Sequence, residues 1–248
     1  MLVATQRHFA RDRLLSLLDD FVSSNEVGRS IYFPPGIPIE KMEGEIDAVL
    51  PVDQISSDMT KEITRSETGA ILFWGEQYKY LILPPFPVTE RLSGQGYDVA
   101  QLKFILEQDL VIALILIRLG RYSIGVFKGE NLLSSKSGTG LIHSRHKKGG
   151  SSQRRFERHR EKQMEAFFTR VCLHVGEQLG PYFKQLDYVR YGGERQTITL
   201  FRKQCRLLRN LDNCTIEALL NIREPKKTTL DIAIAETWSS KVIQWREE

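Results

Sequence analysis

The residues able to do chemistry are gathered in one segment, Gly138-Thr-Gly-Leu-Ile-His143-Ser-Arg145-His146-Lys147-Lys148-Gly149-Gly150-Ser-Ser-Gln153-Arg154-Arg155-Phe156-Glu-Arg158-His-Arg160. Its glycines give the backbone freedom at an entropic cost, and its cations are too costly to bury unpaired. The segment is therefore not core. A loop of this length in a compact chain is either functional or a solvated connection, and its charge selects a polyanion as partner. Arg145, His146, Lys147, Lys148, Arg154, Arg155, Arg158 and Arg160 are the candidate RNA contacts. His143 and His146 titrate near neutrality and offer an acid and a base for metal-free RNA cleavage, although histidines in a basic loop serve more often as phosphate contacts.

Something must hold this loop. From Met164 onward, apolar residues recur at Met164, Phe167, Phe168, Val171, Cys172, Val175 and Leu179, the spacing of one buried helix face. Between Ser152 and Gln163 only Phe156 joins that stripe, while Arg154, Arg155, Arg158, Arg160 and Lys162 outnumber Glu157 and Glu161. The pattern predicts a single helix anchored by its C-terminal half, with a polar N-terminal half that works as a rigid stalk. Its tip is the turn Gly149-Gly150-Ser151-Ser152-Gln153. A helix start presents unpaired N–H groups and partial positive charge, which favour phosphate or a developing oxyanion.

At these residues a family resemblance emerges. Lys148-Gly-Gly-Ser-Ser-Gln153-Arg-Arg155-Phe156-Glu-Arg158-His-Arg160 resembles the catalytic loop and helix of eukaryotic and archaeal class I peptide-chain release factors. Those carry Gly-Gly-Gln, a short spacer, Arg-Phe, one residue and Arg-x-Arg. The distance from Gly149-Gly150 to Arg155-Phe156 agrees, but Ser151 stands where those factors place glutamine, and Gln153 follows two residues later. This Gly-Gly-x-x-Gln spacing is more similar to the release-factor-like family of ribosome quality control, whose eukaryotic members cleave stalled peptidyl-tRNA. The resemblance spans residues 99–248.

The resemblance implies a catalytic set of Gln153, Gly149 and Gly150, acting in the peptidyl transferase centre of the large ribosomal subunit on peptidyl-tRNA, with no cofactor. Hydrolysis of the peptidyl ester needs a water held in line with the carbonyl and donors aimed at the oxyanion. A glutamine amide supplies donors and an acceptor while staying neutral beside phosphate. Gln153 could equally orient a ribose 2′-OH toward the neighbouring phosphodiester, which makes a tRNA 3′-end endonuclease the alternative outcome. A further alternative is a non-catalytic RNA- or ribosome-binding module, served equally well by the same phosphate contacts.

Composition narrows the classes. The chain has 248 residues, 41% of them hydrophobic, and a net charge of +4. That is enough for a real core and too little charge for a general nucleic-acid coat. Cys172, Cys205 and Cys214 are odd in number, with no Cys-x-x-Cys pair, which suggests a reducing compartment, with Cys172 a small hydrophobe and no structural metal. Met1–Phe21 is interrupted by Arg7, Arg11, Asp12 and Arg13, unlike a signal peptide, and Leu110–Ile117 is too short to span a bilayer. These features predict a cytoplasmic protein without a membrane partner. Lys136-Ser137-Gly138 lacks phosphate-loop spacing, so no nucleotide site is expected. Two-metal chemistry needs converging carboxylates, and Glu107, Asp109, Glu130 and Asp187 form no recognisable set.

The positioning elements read as α/β, with a mixed sheet and helices. The amino-terminal part offers a helix marked by Phe9, Leu14, Leu17, Leu18 and Phe21, a strand at Arg29–Phe33, a helix at 52–68, and strands at Ala70–Trp74 and Tyr78–Leu83. Proline and glycine near Pro84–Gly96 place a boundary at 98, giving a smaller α/β region of unassigned role at 1–98 and a catalytic domain at 99–248. In the second part, Leu110–Leu119 and Arg121–Phe127 form a hairpin at Gly120, followed by the long helix, a strand at Leu186–Tyr191, a helix at 196–209, a strand at Cys214–Ile222 and a closing helix at 228–243. The resemblance implies a ribonuclease-H-like topology for this domain.

Overall fold

The computed structural model describes residues 2–24, 26–47, 55–142 and 151–247. It divides into two compact units, Met1–Gln108 with Trp238–Glu248, and Asp109–Thr237. The split falls ten residues beyond the expected boundary at 98, and the last residues belong with the first unit.

The first unit is built on an antiparallel sheet of β1 (Leu2–Phe9), β2 (Arg29–Phe33), β3 (Ala70–Trp74), β4 (Lys79–Leu83), β5 (Leu92–Gln95) and β11 (Ser240–Glu247), in the order β1-β11-β4-β3-β2-β5. Strand β3 is buried throughout because its alternating side chains enter two cores. Ile71 and Phe73 pack with Leu14, Leu18 and Phe21 of α1 (Arg11–Ser23) and Leu102 and Leu106 of α4 (Ala100–Glu107). Ala70, Leu72 and Trp74 pack with Met42 and Ile46 of α2 (Ile39–Asp47) and Met59 and Ile63 of α3 (Ile55–Arg65).

The second unit is a five-stranded mixed sheet ordered β10-β9-β6-β7-β8. Strands β6 (Val111–Arg118), β7 (Arg121–Lys128) and β8 (Asn131–Thr139) form an antiparallel meander, and β9 (Tyr188–Gly193) and β10 (Thr215–Leu220) run parallel to β6. This is the ribonuclease-H-like strand order that the resemblance implies. Central β6 is buried on both faces up to Arg118, as an apolar strand covered by helices on either side should be. Val111, Ala113, Ile115 and Ile117 face the core shared with α5 (Ser151–Leu179) and α6 (Arg195–Gln204), and α7 (Lys227–Thr237) packs on the sheet too.

Several elements differ from the sequence expectation. The helix predicted at 228–243 stops at Thr237, and β11 follows to pair with β1 and β4. Leu230, Ile234, Trp238 and Val242 are all buried, so their spacing of four mimicked one helical stripe across a helix, a turn and a strand. The helix predicted at 196–209 ends at Gln204 and gives way to a 3-10 helix at Arg206–Cys214. Strands β1 and β8 had no sequence signal; both are sheet edges, where one side needs no apolar partner.

Gly193 closes β9 at φ 128°, and a Cβ placed there meets the Ile117 carbonyl oxygen of neighbouring β6. Both the left-handed backbone and the backbone clash exclude a side chain. Gly193→Ala is expected to cost about 3 kcal/mol in urea unfolding, without shifting the rest of the sheet's order.

Candidate functional site

The site is organised by α5, a helix of 29 residues. Its C-terminal half is bolted to the sheet: Phe167, Phe168, Val171, Val175 and Leu179 are at most 3% exposed. Tyr122 of β7 lies with its ring 6.1 Å from that of Phe167 and stacks at 5.7 Å on His174. Ser134 of β8 donates to Gln178 Oε1 at 2.5 Å. On the other flank Phe168 meets Phe201 of α6 at 5.7 Å, and Gln204 Nε2 donates to the Glu165 carbonyl and to Thr169 Oγ1, each at 2.9 Å.

The N-terminal half stands in solvent by comparison. From position 155 on, Arg155, Phe156, Glu157, Arg158, His159, Glu161 and Lys162 are exposed, Arg160, Gln163 and Met164 are half-buried, and Phe167 is the first fully buried of the described side chains. At 1.5 Å per residue, position 153 stands about 21 Å along the axis from Phe167. That is the geometry of the predicted stalk.

The stalk's charges are partly sorted by side. Glu157, Glu161, Met164 and Phe168 follow one another at i+4 and i+3 steps, in line with the buried stripe. Arg155, His159 and Lys162 fall on the opposite side of the same turns, Arg158 lies on the flank, and Arg160 returns to the stripe side beside Glu157. At the stalk's foot, a groove of about 580 Å³ runs between α5 and α6, lined by Arg160, Glu161, Met164, Glu165, Glu194 and Leu200 among others. Arg155, His159 and Lys162 thus lie away from the domain's own core, while Arg160 lines the groove.

The chain enters the loop at a fixed point. Gly140 N donates to Gly120 O at 2.8 Å, and a Cβ at Gly140 would strike the Phe167 ring and the Arg170 guanidinium. Residue 140 therefore lies level with Phe167, and the chain rejoins the helix at Ser151, about 24 Å further along its axis.

Of the residues singled out in the sequence, Arg155, Arg158 and Arg160 lie on the stalk, and Gln153 and Arg154 fall in the first turn of α5. Gly149, Gly150, Arg145, His146, Lys147 and Lys148, with His143, lie outside the described residues. Asp109 pairs with Lys128 at 3.0 Å, and Asp187 Oδ2 accepts from Val111 N at 2.7 Å, so both serve the sheet. Among the described residues, no group of three or more His, Cys, Asp or Glu side chains is placed to hold a metal ion, and no helix is long and apolar enough to cross a membrane.

Sequence reasoning missed the cross-link. Cys172 of α5 is disulfide-bonded to Cys205, the residue that ends α6, with Cα atoms 5.5 Å apart. The reading of Cys172 as a small hydrophobe in a reducing compartment is corrected on this point: a separation of 33 residues carries no spacing signature, and only the packing of α5 on α6 brings the thiols together. Also unread was Arg202, whose guanidinium donates to both Glu217 oxygens at 2.7 and 2.6 Å and to Asp212 at 2.9 Å, tying α6 to β10. Its hydrogen bonds to Glu217 raise its already high pKa.

The sheet, its anchored helix and the exposed basic stalk all fall within the part of the chain that matches a known family. The chain belongs to the family of Actinobacteria/chloroflexi VLRF1 release factors, whose model matches residues 111–243. It is similar to peptide chain release factor subunit 1 of Aeropyrum pernix, 27% identical over 205 residues, covering 73% of this chain and 54% of that protein. The corresponding protein of Saccharolobus solfataricus is 25% identical over 188 residues, covering 66% and 49%. The chain thus spans about half the length of the curated relatives it matches. Among solved structures, the archaeal translation termination factor aRF1 superimposes at a TM-score of 0.43 and 20% identity, covering 92% of this chain and 71% of that one.

The anchor and the stalk should respond differently to truncation. Phe167→Ala is expected to destabilise the protein by about 3–5 kcal/mol. Arg158→Ala, on the exposed side of the stalk, should change stability by less than about 0.5 kcal/mol. Thermal unfolding of the two variants measures the contrast.

Proposed function

We propose that this protein frees nascent chains from stalled ribosomal complexes by cleaving peptidyl-tRNA, with Gln153 as the residue that orients the attacking oxygen. The observation that carries this reading is the position of Gln153 in the first turn of a helix that is anchored in the core from Phe167 onward. An amide carried about 21 Å from its anchor is suited to a deep, narrow target such as the peptidyl transferase centre. Membership of a release-factor family supports the same reading.

In this mechanism the Gln153 amide holds a water in line with the ester carbonyl and, with backbone N–H groups at the helix start, stabilises the oxyanion. The water oxygen bonds to the carbonyl carbon, the C–O bond to the terminal ribose breaks, one of the water's protons passes to the ribose 3′-oxygen and the other to solvent, and the peptide leaves as a carboxylate. Gly149 and Gly150 allow close approach of the backbone to RNA. Arg145, His146, Lys147, Lys148, Arg154, Arg155, Arg158 and Arg160 grip phosphates of the large subunit and the tRNA end. The proposed partners are therefore the ribosomal large subunit and peptidyl-tRNA, the place of action is the cytoplasm, and the chemistry belongs to the second part of the chain, from about residue 99. The Gly-Gly-x-x-Gln spacing favours one alternative, attack by a ribose 2′-OH within the tRNA 3′ end.

Gln153→Ala should lower peptidyl-tRNA cleavage on stalled ribosomes by on the order of 10²–10³ and leave ribosome binding nearly unchanged; equal activity of the two proteins ends this reading. Mass analysis of the tRNA product then separates the bonds, an intact CCA end for ester hydrolysis and a shortened one for nucleolytic cutting. The double substitution Lys147→Glu and Lys148→Glu should weaken association and flatten its dependence on salt, as read by co-sedimentation with ribosomes across a salt series.

A further inference from the structure

The strongest feature that release chemistry leaves unused is the bond between Cys172 and Cys205. It joins the stalk helix to the end of α6 little more than one turn beyond the Phe168 anchor. A depression of about 640 Å³, lined by Thr169, Cys172, Leu173, Gly176, Glu177 and Gln204, opens on the Cys172 side of the bond. Cys172 is half-buried, while Cys205 is 1% exposed. Cys172 thus lines an opening to solvent, and Cys205, bonded to it, does not.

The bond is one of several links between α5 and α6. Without the bond, α5 and α6 remain joined by the Gln204 hydrogen bonds to Glu165 and Thr169 and by the Phe168–Phe201 contact, and the Cys205 N–H still caps α6 on the Phe201 carbonyl at 2.9 Å. The third cysteine, Cys214, is free, and burial pushes its thiol up, which makes it a poor nucleophile.

We propose that Cys172 and Cys205 form a reversible exchange site for low-molecular-weight thiols and disulfides of the glutathione class, and that its oxidation state sets how firmly the base of α5 is held to α6. In the oxidising direction the Cys172 thiolate attacks one sulfur of the small disulfide, forming a mixed disulfide and expelling one thiolate. Cys205 then attacks Cys172 Sγ and expels the second thiolate, closing the protein bond. Two electrons pass from the cysteine pair to the small disulfide, and the two protons the cysteines lose end on the two expelled thiols. Reduction is the same sequence reversed.

The test needs no translation assay, so it stands apart from the proposed release activity. The full chain is equilibrated in glutathione buffers of graded composition, quenched in acid, alkylated under denaturing conditions and analysed by mass spectrometry. Cys172 and Cys205 should lose their alkyl groups together as oxidised glutathione rises and appear as one cross-linked peptide, with Cys214 alkylated throughout. Cys205→Ser should instead accumulate a single glutathione adduct on Cys172. A pair that stays closed in excess reduced glutathione, or never closes in the oxidised form, overturns the proposal, as does absence of the Cys172 adduct in a folded Cys205→Ser protein. Hydrogen exchange of wild type reads the mechanical consequence: amides from Thr169 to Val175 should exchange faster on reduction by on the order of tenfold. An unchanged rate would show that the bond does not hold the stalk.

Discussion

The apolar seam beneath residues 167–179 is the interaction on which the remaining architecture depends. A cationic helix of some sixteen residues is marginal in water by itself, because nucleating its first turn costs more than propagation returns over so short a length. Here nucleation happens elsewhere. Phe167, Phe168, Val171, Val175 and Leu179 are buried against β6 and β7 and the neighbouring helix, each contributing up to about 1.5–3 kcal/mol relative to an exposed side chain. The hydrogen-bond ladder then runs on toward Ser151 at one residue fixed per bond. The stalk is helical because its other end is core.

That arrangement also settles where the charge can go. The face in line with the core stripe carries Glu157 and Glu161 together with Arg160, while Arg155, His159 and Lys162 fall on the other side and Arg158 between the two. Exposed charges act only within about 8–10 Å at physiological salt, so the chain's net charge of +4 matters less than this local sorting. Among the described stalk residues, cations predominate on the side away from the core stripe, and both carboxylates lie on the side in line with it.

The parts legible in the sequence were those with a period. Helix α5 declared itself through the spacing of Phe167, Phe168, Val171, Val175 and Leu179, and β6 through an apolar run too short for a helix in its place. Strand β8 did not, because Asn131-Leu-Leu-Ser-Ser-Lys-Ser-Gly-Thr139 lies at a sheet edge with most of its side chains in water and no alternation to preserve. Strand β11 was misread for the opposite reason: its buried Val242 sits four residues after Trp238, a spacing that helix and strand share by coincidence over so few positions. The basic tip was visible as composition, but the sorting of charge around the stalk needed the helix phase, and the cysteine pair needed the fold itself. Contacts made between elements leave no local trace in a chain.

The same reasoning explains why this sheet works as a mount. Its carboxylates are spent on structure: Asp187 clips the start of β9 to the Val111 amide of β6, and Asp109 faces Lys128 across the β7 end. Arg202, gripping Glu217 and Asp212, ties α6 to β10, and α6 in turn braces α5 through Gln204 and Cys205. Each of these contacts converts a polar group into rigidity at the foot of one helix. Such bracing makes the far end of the helix accurate in position, since an angular error at the foot grows in proportion to the length of the rod. The polar contacts of the sheet and the position of residue 153 are therefore linked mechanically, through α5.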